Sequence, residues 1–259
     1  MFSMGSGYEQ YMGRWSRRLA PAFVAFAGVK DGERILDVGT GTGALAAALE
    51  AATPAGEITG IDPSEGFIEH ARTASGRARF DVGNAQNLPY GDAAFDRSMA
   101  LLVINFVPDH ARALGEMRRV TRPKGVVSAC VWDYGGGMES LRIFWDEAVA
   151  LDPAAAPKHE RNMKLTREGE LGALWKASGL TNVQEKGLSI EQGFSSFDDF
   201  WAPFLKGTGP GGAYVASLNE ERRRKLEMNL RLRLLGGRTG GGFALQARAW
   251  CVRGEVPTA

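Results

Sequence analysis

ILDVGTGTG, residues 35–43, joins a short apolar run to three closely spaced glycines. The strong helix former ALAAALE, residues 44–50, follows directly, so the pattern predicts a strand, a tight turn and a helix. A ligand can lie directly against the backbone at Gly39 and Gly41, because a Cβ atom at either position would hold it away. The segment therefore predicts a ligand-binding turn at the carboxyl end of a strand.

The alternation of strand and helix patterns continues downstream. We expect further strands at residues 57–61, 78–82, 95–103, 126–132, 182–190 and 243–251. We expect helices at residues 64–73, after Asp109, at 138–151, at 168–178, and in the segment that follows a capping box formed by Ser217 and Glu220. Strands that alternate with helices imply a parallel sheet with helices on both faces and right-handed crossovers. The last segment alternates apolar and polar residues with a period of two, which suits a final strand inserted into the sheet.

Composition restricts the classes of partner. The chain has 259 residues, 44% of them hydrophobic, and a formal net charge of +1, so it has no general attraction to nucleic acids or anionic membranes. Its longest apolar stretch, residues 19–29, is too short for a bilayer, which takes about 20 residues. We interpret that stretch as an amphipathic lead-in helix and expect a cytoplasmic protein with no membrane partner. Cys130 and Cys251 form no CxxC pair and the chain has 3 histidines, so we expect neither a metal site nor a disulfide framework.

Two cofactor classes fit the glycine-rich turn. Gly39-x-Gly41-x-x-Ala44 satisfies the dinucleotide fingerprint, and Asp62 lies about 20 residues further on, where a carboxylate accepts hydrogen bonds from ribose hydroxyls. An NAD(P)-dependent oxidoreductase is therefore one interpretation. No Tyr-x-x-x-Lys pair occurs in the chain, which argues against it. Asp37 at the strand end and the blocks further downstream favour a different cofactor.

The order of several blocks resembles the class I S-adenosylmethionine-dependent methyltransferases, and within them the type 11 branch related to ubiquinone and menaquinone biosynthesis enzymes. The matching blocks are residues 35–43, 60–64 with Phe67, 83–90 with 95–96, 101–109, 119–125, and a lead-in at 8–17 that in this branch belongs to a capping helix. Asn84 stands where the family usually has aspartate. The likeness covers about residues 8–134 of the chain.

The resemblance implies a Rossmann-like, doubly wound α/β sheet of seven strands, mostly parallel with the last strand antiparallel. It also implies that S-adenosylmethionine binds and that S-adenosylhomocysteine is released. Asp62 would hold the ribose, Phe67 and Asn84 would contact the adenine, and Arg14 would pair with the methionine carboxylate or remain solvated. The expected cofactor-binding residues are Asp37, Gly39, Thr40, Gly41, Asp62, Pro63, Phe67, Asn84, Ala85, Leu101 and Arg14.

Methyl transfer from a sulfonium is an in-line displacement, so the protein mainly supplies position and a dry site and needs no nucleophilic side chain. Asn105 and Phe106, just past the fourth strand, are expected to face the transferred methyl on the acceptor side. The sequence places none of His70, His110 and His159 as a base, so we assign no catalytic base and no metal. The expected reaction is transfer of a methyl group to a small organic acceptor.

The expected organisation is a single methyltransferase domain over residues 1–259. Its parts are an N-terminal cap helix in 1–30, a cofactor-binding core at 31–134, a helical connection at 135–178, and a helical insertion or lid at 194–235 between the last two strands. A basic cluster at 222–233 leaves open an RNA- or protein-directed methyltransferase, although the pattern favours a solvated amphipathic helix. The Asp/Asn-Pro-Pro-Tyr motif of enzymes that methylate amino groups of bases is missing after the fourth strand, which argues against a nucleic-acid partner. Sequence alone determines neither the acceptor nor the oligomeric state.

Overall fold

The structure is a computed structural model that describes residues 9–207 and 209–258. Residues 1–8, which begin the expected cap segment and include the first residue of the family-like lead-in, lie outside the described residues.

Seven strands in the described residues form one mixed sheet. They are β1 (Arg34–Val38), β2 (Glu57–Asp62), β3 (Arg79–Val82), β4 (Phe95–Leu101), β5 (Thr121–Trp132), β6 (Thr181–Phe194) and β7 (Phe243–Glu255). Their order across the sheet is β3-β2-β1-β4-β5-β7-β6. Strands β1 to β5 run parallel, and β7 runs antiparallel to β5 and β6. The expected α/β fold, with its last strand antiparallel and inserted into the sheet, is confirmed.

Nine α-helices connect or flank these strands in the described part of the chain. They are α1 (Arg14–Ala27), α2 (Ala44–Ala52), α3 (Glu65–Ala74), α4 (His110–Val120), α5 (Glu139–Leu151), α6 (Glu170–Ala177), α7 (Phe197–Leu205), α8 (Gly209–Ser217) and α9 (Glu220–Leu235). A π-helical turn at Glu9–Gly13 leads into α1. None of the helices in residues 9–207 and 209–258 is long and apolar enough to span a membrane.

Side-chain caps explain where two of the predicted helices begin. The Ser64 hydroxyl accepts a hydrogen bond from the backbone N–H of Phe67 at 3.4 Å, and α3 follows. The Asp109 carboxylate accepts one from the backbone N–H of Arg112 at 2.9 Å, and α4 follows. Each cap satisfies a backbone donor that the first turn of a helix leaves unpaired, so both predicted starts are confirmed.

Helices on both faces of the sheet bury two apolar clusters. On one face, α1, α2 and α3 contribute residues such as Phe23, Leu49 and Ile68, and the insertion α7 to α9 packs on the same cluster. On the other face, α4 and α6 contribute residues such as Leu114 and Trp175. Burial of apolar surface on both faces is what the strand–helix alternation requires of a parallel sheet.

The strand order reverses beside β1, because β2 continues the sheet on one side and β4 on the other. In such sheets a ligand crevice forms beyond the carboxyl ends of the strands at the point of reversal. Val38, Asp62 and Leu101 are the last residues of β1, β2 and β4, so they meet at one edge. The fold therefore places the predicted glycine-rich turn at the expected crevice.

The predicted cap of α9 is wrong. The Asn219 side chain accepts a hydrogen bond from the backbone N–H of Arg222 at 2.9 Å and is the residue before the helix. Ser217 ends the preceding helix α8, and its hydroxyl donates to the carbonyl oxygen of Tyr214 at 2.6 Å. The break between α8 and α9 lies two residues later than the capping-box spacing predicts.

The sequence predicts no disulfide framework, but the structure pairs the two cysteines. Cys130 on β5 lies opposite Cys251 on β7, with 4.1 Å between their Cα atoms, and the two residues form a disulfide. Both side chains are fully buried. Because β7 is inserted directly beside β5, two residues separated by 121 positions become neighbours, which their spacing in the sequence does not reveal.

Candidate functional site

A cavity of about 560 Å³ opens at the carboxyl ends of β1, β2, β4 and β5. The turn after β1 forms one wall, and the end of β2 with the start of α3 forms a second. The predicted site residues that line the cavity are Asp37, Gly39, Thr40, Gly41, Asp62, Pro63, Phe67, Leu101 and Phe106. The structure thus brings the expected ribose, turn and acceptor-side positions together in one cavity.

The glycines after β1 have left-handed backbone conformations, with φ of 71° at Gly39 and 54° at Gly41. A Cβ atom on Gly39 would lie 2.5 Å from the Val103 side chain, whereas one on Gly41 would have no neighbour within 4 Å. The backbone N–H groups of Gly39 and Thr40 donate to the carbonyl oxygen of Ile61 at 2.7 and 3.0 Å, which ties the turn to β2. Gly39 is therefore required for close packing, and Gly41 presents bare backbone to the cavity.

Asp62 is held at the end of β2 by two backbone donors. Its Oδ2 accepts from the N–H of Gly41 at 3.0 Å, and its Oδ1 accepts from the N–H of Ser64 at 2.9 Å. Burial raises the pKa of Asp62, and these two hydrogen bonds oppose the rise. A carboxylate fixed in this way keeps lone pairs for the hydroxyls of a bound ribose.

Asp37 is fully buried at the end of β1. Its Oδ2 accepts a hydrogen bond from the Thr40 hydroxyl at 2.7 Å, whereas its Oδ1 has no partner among the described residues. Burial raises the pKa of Asp37 to about 7, and the nearby charge of Asp62 raises it further, whereas the Thr40 hydroxyl and the backbone N–H of Ala46 lower it. A buried carboxylate oxygen without a partner is costly, and a cationic ligand group beside it would remove that cost.

Sequence reasoning missed the opposite wall of the cavity. Met12 and Ser16 come from the lead-in turn and α1, and Trp132 and Tyr134 lie at and just after the end of β5. The sequence could have predicted Trp132, because it ends a parallel strand and so lies at the same sheet edge as Asp37. Met12 and Ser16 belong to the lead-in at 8–17 that the resemblance assigns to a capping helix, but which of its residues face the cavity depends on how α1 packs across the sheet.

Asn84 and Ala85 do not line the cavity. The Asn84 side-chain oxygen accepts a hydrogen bond from the backbone N–H of Gln86 at 2.9 Å, and the backbone N–H of Asn87 donates to the Asn84 carbonyl oxygen at 3.0 Å. Asn84 therefore organises its own turn after β3 in this structure, and its contact with adenine stays a prediction.

Arg14 and Asn105 also lie outside the cavity lining. Arg14, whose side chain is 32% exposed, forms an ion pair with Asp199 on α7 at 2.7 Å, and its pairing with the methionine carboxylate stays a prediction. The Asn105 amide nitrogen lies 3.9 Å from the sulfur of Met163, and its oxygen is buried without a partner among the described residues. Of the two residues expected on the acceptor side, Phe106 lines the cavity and Asn105 does not.

No histidine lines the cavity. His159 is buried, its Nδ1 accepts from the backbone N–H of Arg161 at 3.0 Å, and its ring stacks on Trp145. Burial, aided by the charge of Arg161, lowers the pKa of His159 to about 4. His159 is therefore neutral at physiological pH and serves the packing of its segment. Within the described residues, no three His, Cys, Asp or Glu side chains gather as metal ligands.

Comparison with known proteins shows what this chain is similar to. A family model described as a methyltransferase domain matches residues 36–129. An uncharacterized protein of Mycobacterium tuberculosis (strain ATCC 25618 / H37Rv) is 31% identical over 176 residues, which are 64% of this chain and 63% of that protein. The demethylmenaquinone methyltransferase of Staphylococcus aureus (strain JH9) is 42% identical over 104 residues, 39% of this chain and 43% of that enzyme. The chain thus spans less than two thirds of the length of these relatives.

Solved structures share the fold at low sequence identity. The phosphoethanolamine N-methyltransferase 2 of Haemonchus contortus, solved in complex with S-adenosyl-L-methionine, has a TM-score of 0.60 at 15% identity, covering 100% of this chain and 58% of that one. The YcgJ protein of Bacillus subtilis has a TM-score of 0.57 at 19% identity, covering 95% of this chain and 100% of that one. Likeness at this level concerns the fold alone.

Proposed function

We propose that this chain is a class I S-adenosylmethionine-dependent methyltransferase of the type 11 branch and that it transfers a methyl group to a small organic acceptor. The observation that carries the proposal is the unpaired oxygen of the buried Asp37, which lies in one cavity with Asp62 and the bare backbone of Gly41. The ammonium group of S-adenosylmethionine suits the unpaired oxygen of Asp37, and its ribose hydroxyls suit Asp62.

In this proposal, each of several cavity residues contacts a different part of the cofactor. Asp62, fixed by two backbone donors, accepts hydrogen bonds from the ribose hydroxyls. Phe67, at the start of α3, packs on the adenine, and Asp37 receives the ammonium group. Asn84 and Ala85 remain our prediction for the far side of the adenine.

S-adenosylmethionine, when bound, supplies a methyl group that its sulfonium already activates. The protein's part is to hold the acceptor in line with that methyl and to exclude water. The apolar and aromatic residues Leu101, Phe106, Trp132 and Tyr134 line the remaining wall of the cavity and suit that task. No protein nucleophile is needed.

A small acceptor fits the charge distribution better than a nucleic acid. The arginines of α9 that made a macromolecular partner conceivable are mostly ion-paired within the chain. These pairs are Arg222 with Asp152, Arg224 with Glu220, Arg231 with Asp198 and Glu227, and Arg233 with Asp146 and Glu147. Their charge is therefore largely balanced before any phosphate approaches.

Calorimetric titration with S-adenosylhomocysteine and, separately, with NADH tests the proposal. We expect the wild-type protein to bind S-adenosylhomocysteine and not NADH. Asp62→Ala should weaken that binding by about tenfold or more, because charge-assisted hydrogen bonds to the ribose are lost. Asp92→Ala is the matched control, since Asp92 is 80% exposed and lies outside the cavity.

Two results would contradict the proposal. Binding of NADH alone would assign the glycine turn to a nicotinamide cofactor and an oxidoreductase. Failure of the wild-type protein to bind either compound would remove the cofactor site altogether.

A further inference from the structure

A second cavity, of about 240 Å³, lies at the edge of the sheet opposite the cofactor cavity. It is formed by the starts of β4, β5 and β6, the end of β7, and the chain from the end of α1 to Glu33. No described residue lines both cavities. A ligand in this second cavity, which we call the rear cavity, would therefore bind without touching the cofactor site.

Charged side chains line the rear cavity, and arginines neutralise two of the three carboxylates among its described lining residues. The two carboxylate oxygens of Glu33 accept from the Arg97 guanidinium, at 3.1 Å each. The Asp96 carboxylate accepts from the Nε of Arg122 at 2.6 Å. The third carboxylate, that of Glu255, accepts from an uncharged side-chain amide at 2.9 Å and has no cationic partner among the described residues.

Three cations in the same lining have no carboxylate partner in the part of the chain that the structure describes. Two of them, Lys30 and Lys124, form no ion pair there. The third, Arg253, is held by uncharged groups: its Nε donates to the Gln184 side-chain oxygen at 3.1 Å, and its Nη1 donates to a backbone carbonyl oxygen of α1 at 3.2 Å. Three unpaired cations and the one unpaired carboxylate of Glu255 leave the rear cavity with a net charge of +2.

Lys124 lines the cavity from a bulge in β5. The pairing of β4 with β5 skips residues 122–125, so these residues leave the regular ladder between the two strands. Pro123 begins a turn in this bulge, and Lys124 follows it with a φ of 63°. Glycine is the usual residue in that conformation, because the Cβ of any other residue crowds the backbone. Lys124 is therefore strained, and backbone strain of this kind clusters at binding sites.

We propose that the rear cavity binds a phosphate dianion between Lys30, Lys124 and Arg253. A dianion balances the net charge of +2, and ammonium and guanidinium groups donate strong, charge-assisted hydrogen bonds to phosphate oxygens. The Nη2 of Arg253 makes no hydrogen bond within the described residues, so it is open to such an oxygen. The volume of the cavity admits inorganic phosphate or the phosphate group of a small phosphomonoester.

Calorimetric titration at pH 8 and constant ionic strength tests the charge requirement. Inorganic phosphate is mainly dianionic at this pH, whereas dimethyl phosphate carries a single charge. We expect inorganic phosphate to bind saturably and about tenfold more tightly than dimethyl phosphate, because only the dianion balances both positive charges. Glycerol 3-phosphate is the third probe and distinguishes the two sources of the phosphate group. Tighter binding of this probe than of inorganic phosphate assigns the site to a phosphomonoester, and weaker binding assigns it to free phosphate.

Lysine variants test the place of binding. Lys30→Met and Lys124→Met should each weaken phosphate binding by about tenfold, because each removes a charge-assisted hydrogen bond. Lys186→Met is the matched control, since Lys186 is an exposed lysine on β6 that does not line the rear cavity. It should bind phosphate as the wild type does. Binding of S-adenosylhomocysteine should be unchanged in all three variants, which shows that they remain folded.

Three results would overturn the site. They are equal binding of phosphate and dimethyl phosphate to the wild type, no saturable binding of phosphate, and a loss of phosphate binding in Lys186→Met as large as that in Lys124→Met.

A further variant separates ligand binding from a structural role of the strained lysine. Lys124→Gly should raise the melting temperature of the phosphate-free protein, because glycine takes a φ of 63° without strain. The same variant should lose the rise in melting temperature that phosphate gives the wild type. A melting temperature below that of the phosphate-free wild type would mean that the Lys124 side chain stabilises the fold, and would overturn its assignment to a ligand.

Discussion

Arg14 on α1 and Asp199 on α7 form an ion pair with 2.7 Å between the guanidinium nitrogen and the carboxylate oxygen. The Arg14 guanidinium also lies over the rings of Trp15 at 4.3 Å and Phe194 at 5.1 Å. One side chain thus joins the lead-in helix to the insertion between the last two strands. Both elements contribute residues to the lining of a cavity of about 20 Å³.

Breaking this ion pair should loosen the insertion. In a double-mutant cycle of Arg14→Met and Asp199→Asn, we expect a coupling free energy of about 1 kcal/mol at neutral pH, because the pair is partly exposed. Burial raises the pKa of Asp199, but hydrogen bonds from Ser195 and Arg14 outweigh it and leave the pKa below its ordinary value. The coupling free energy should therefore be fully present at pH values above the ordinary pKa of aspartate. It should disappear as the pH falls through the lowered pKa of Asp199.

Urea unfolding at several pH values measures that coupling. Arg224→Met with Glu220→Gln is the comparison cycle, because this pair is 76% and 65% exposed. Its coupling should be smaller, about 0.3 kcal/mol. Equal couplings for the two pairs would show that Arg14 does not hold the insertion.

Cofactor binding should release a proton from Asp37. Burial raises the pKa of Asp37 to about 7 in the free protein, and an ammonium group beside its unpaired oxygen favours the ionised form. The affinity for S-adenosylhomocysteine should therefore rise by about tenfold per pH unit below pH 7 and level off above it. Calorimetry in buffers of different ionisation enthalpy counts the released proton directly.

Asp37→Asn should remove both the proton release and the pH dependence, and the asparagine oxygen can still accept from Thr40. Because the folded pKa exceeds the ordinary value of 3.8, ionisation of Asp37 costs stability at neutral pH. The variant should then be more stable than the free wild type at pH 8 by roughly 2–4 kcal/mol while binding the cofactor more weakly. An unchanged pH profile in Asp37→Asn would assign the proton to another group.

Glu160 should limit stability at alkaline pH. It is 3% exposed, and the indole N–H of Trp145 donates to its carboxylate. Burial raises the pKa of Glu160 from 4.5 to about 7, against the opposing hydrogen bonds from its own backbone and Trp145. Ionising Glu160 in the folded protein costs stability, and this cost is absent below pH 4.5 and complete above about pH 7. Glu160→Gln should therefore stabilise the protein by about 2 kcal/mol at pH 8.5 and have no such effect at pH 4.5.

Chemical unfolding of wild type and variant at the two pH values checks this. Glu116→Gln is a control of opposite sign, because the Arg119 hydrogen bond lowers the pKa of Glu116. That variant should be less stable than the wild type at neutral pH. If both variants shift stability in the same direction, burial does not determine the pKa of Glu160.

Three glycine-to-alanine substitutions separate backbone strain from loss of the ligand. Gly41→Ala and Gly32→Ala both introduce alanine at a positive φ, 54° and 79°, where the new Cβ has no neighbour within 4 Å. Each should cost about 1–2 kcal/mol of stability. Of these two, only Gly41→Ala should weaken S-adenosylhomocysteine binding, because Gly41 lines the cavity and Gly32 does not.

Gly39→Ala should be more severe, since its Cβ would also lie 2.5 Å from the Val103 side chain. Thermal unfolding and calorimetric titration of all three variants give the two quantities. Equal loss of binding in Gly32→Ala and Gly41→Ala would mean that turn strain, and not the approach of a ligand, determines affinity.

Much of the fold follows from local patterns. The run that ends in Asp37, the glycines after it and the helix former that follows predict a strand, a turn and a helix from fewer than twenty consecutive residues. The Ser64 and Asp109 caps are equally local, and the structure confirms both. Element boundaries were less predictable: β6 extends to Phe194, beyond the predicted residue 190, because pairing with β7 continues that far.

Within the site, the sequence alone predicted the half of the cavity that the turn after β1 and the end of β2 form. Asp37, Gly41 and Asp62 belong to two adjacent strand ends, and parallel strands that follow one another in the chain bring such ends to one edge. Their place in the cavity could therefore be derived without coordinates.

Only the tertiary structure decided the contacts between distant segments. Arg14 meets Asp199 across 185 positions, and Cys130 meets Cys251 across 121. Gln192 becomes part of a cavity wall beside Tyr11 because α1 crosses the sheet where the insertion returns to it. Such contacts depend on the packing of whole helices and on the insertion of β7 between β5 and β6, and no pattern within a single segment encodes that packing.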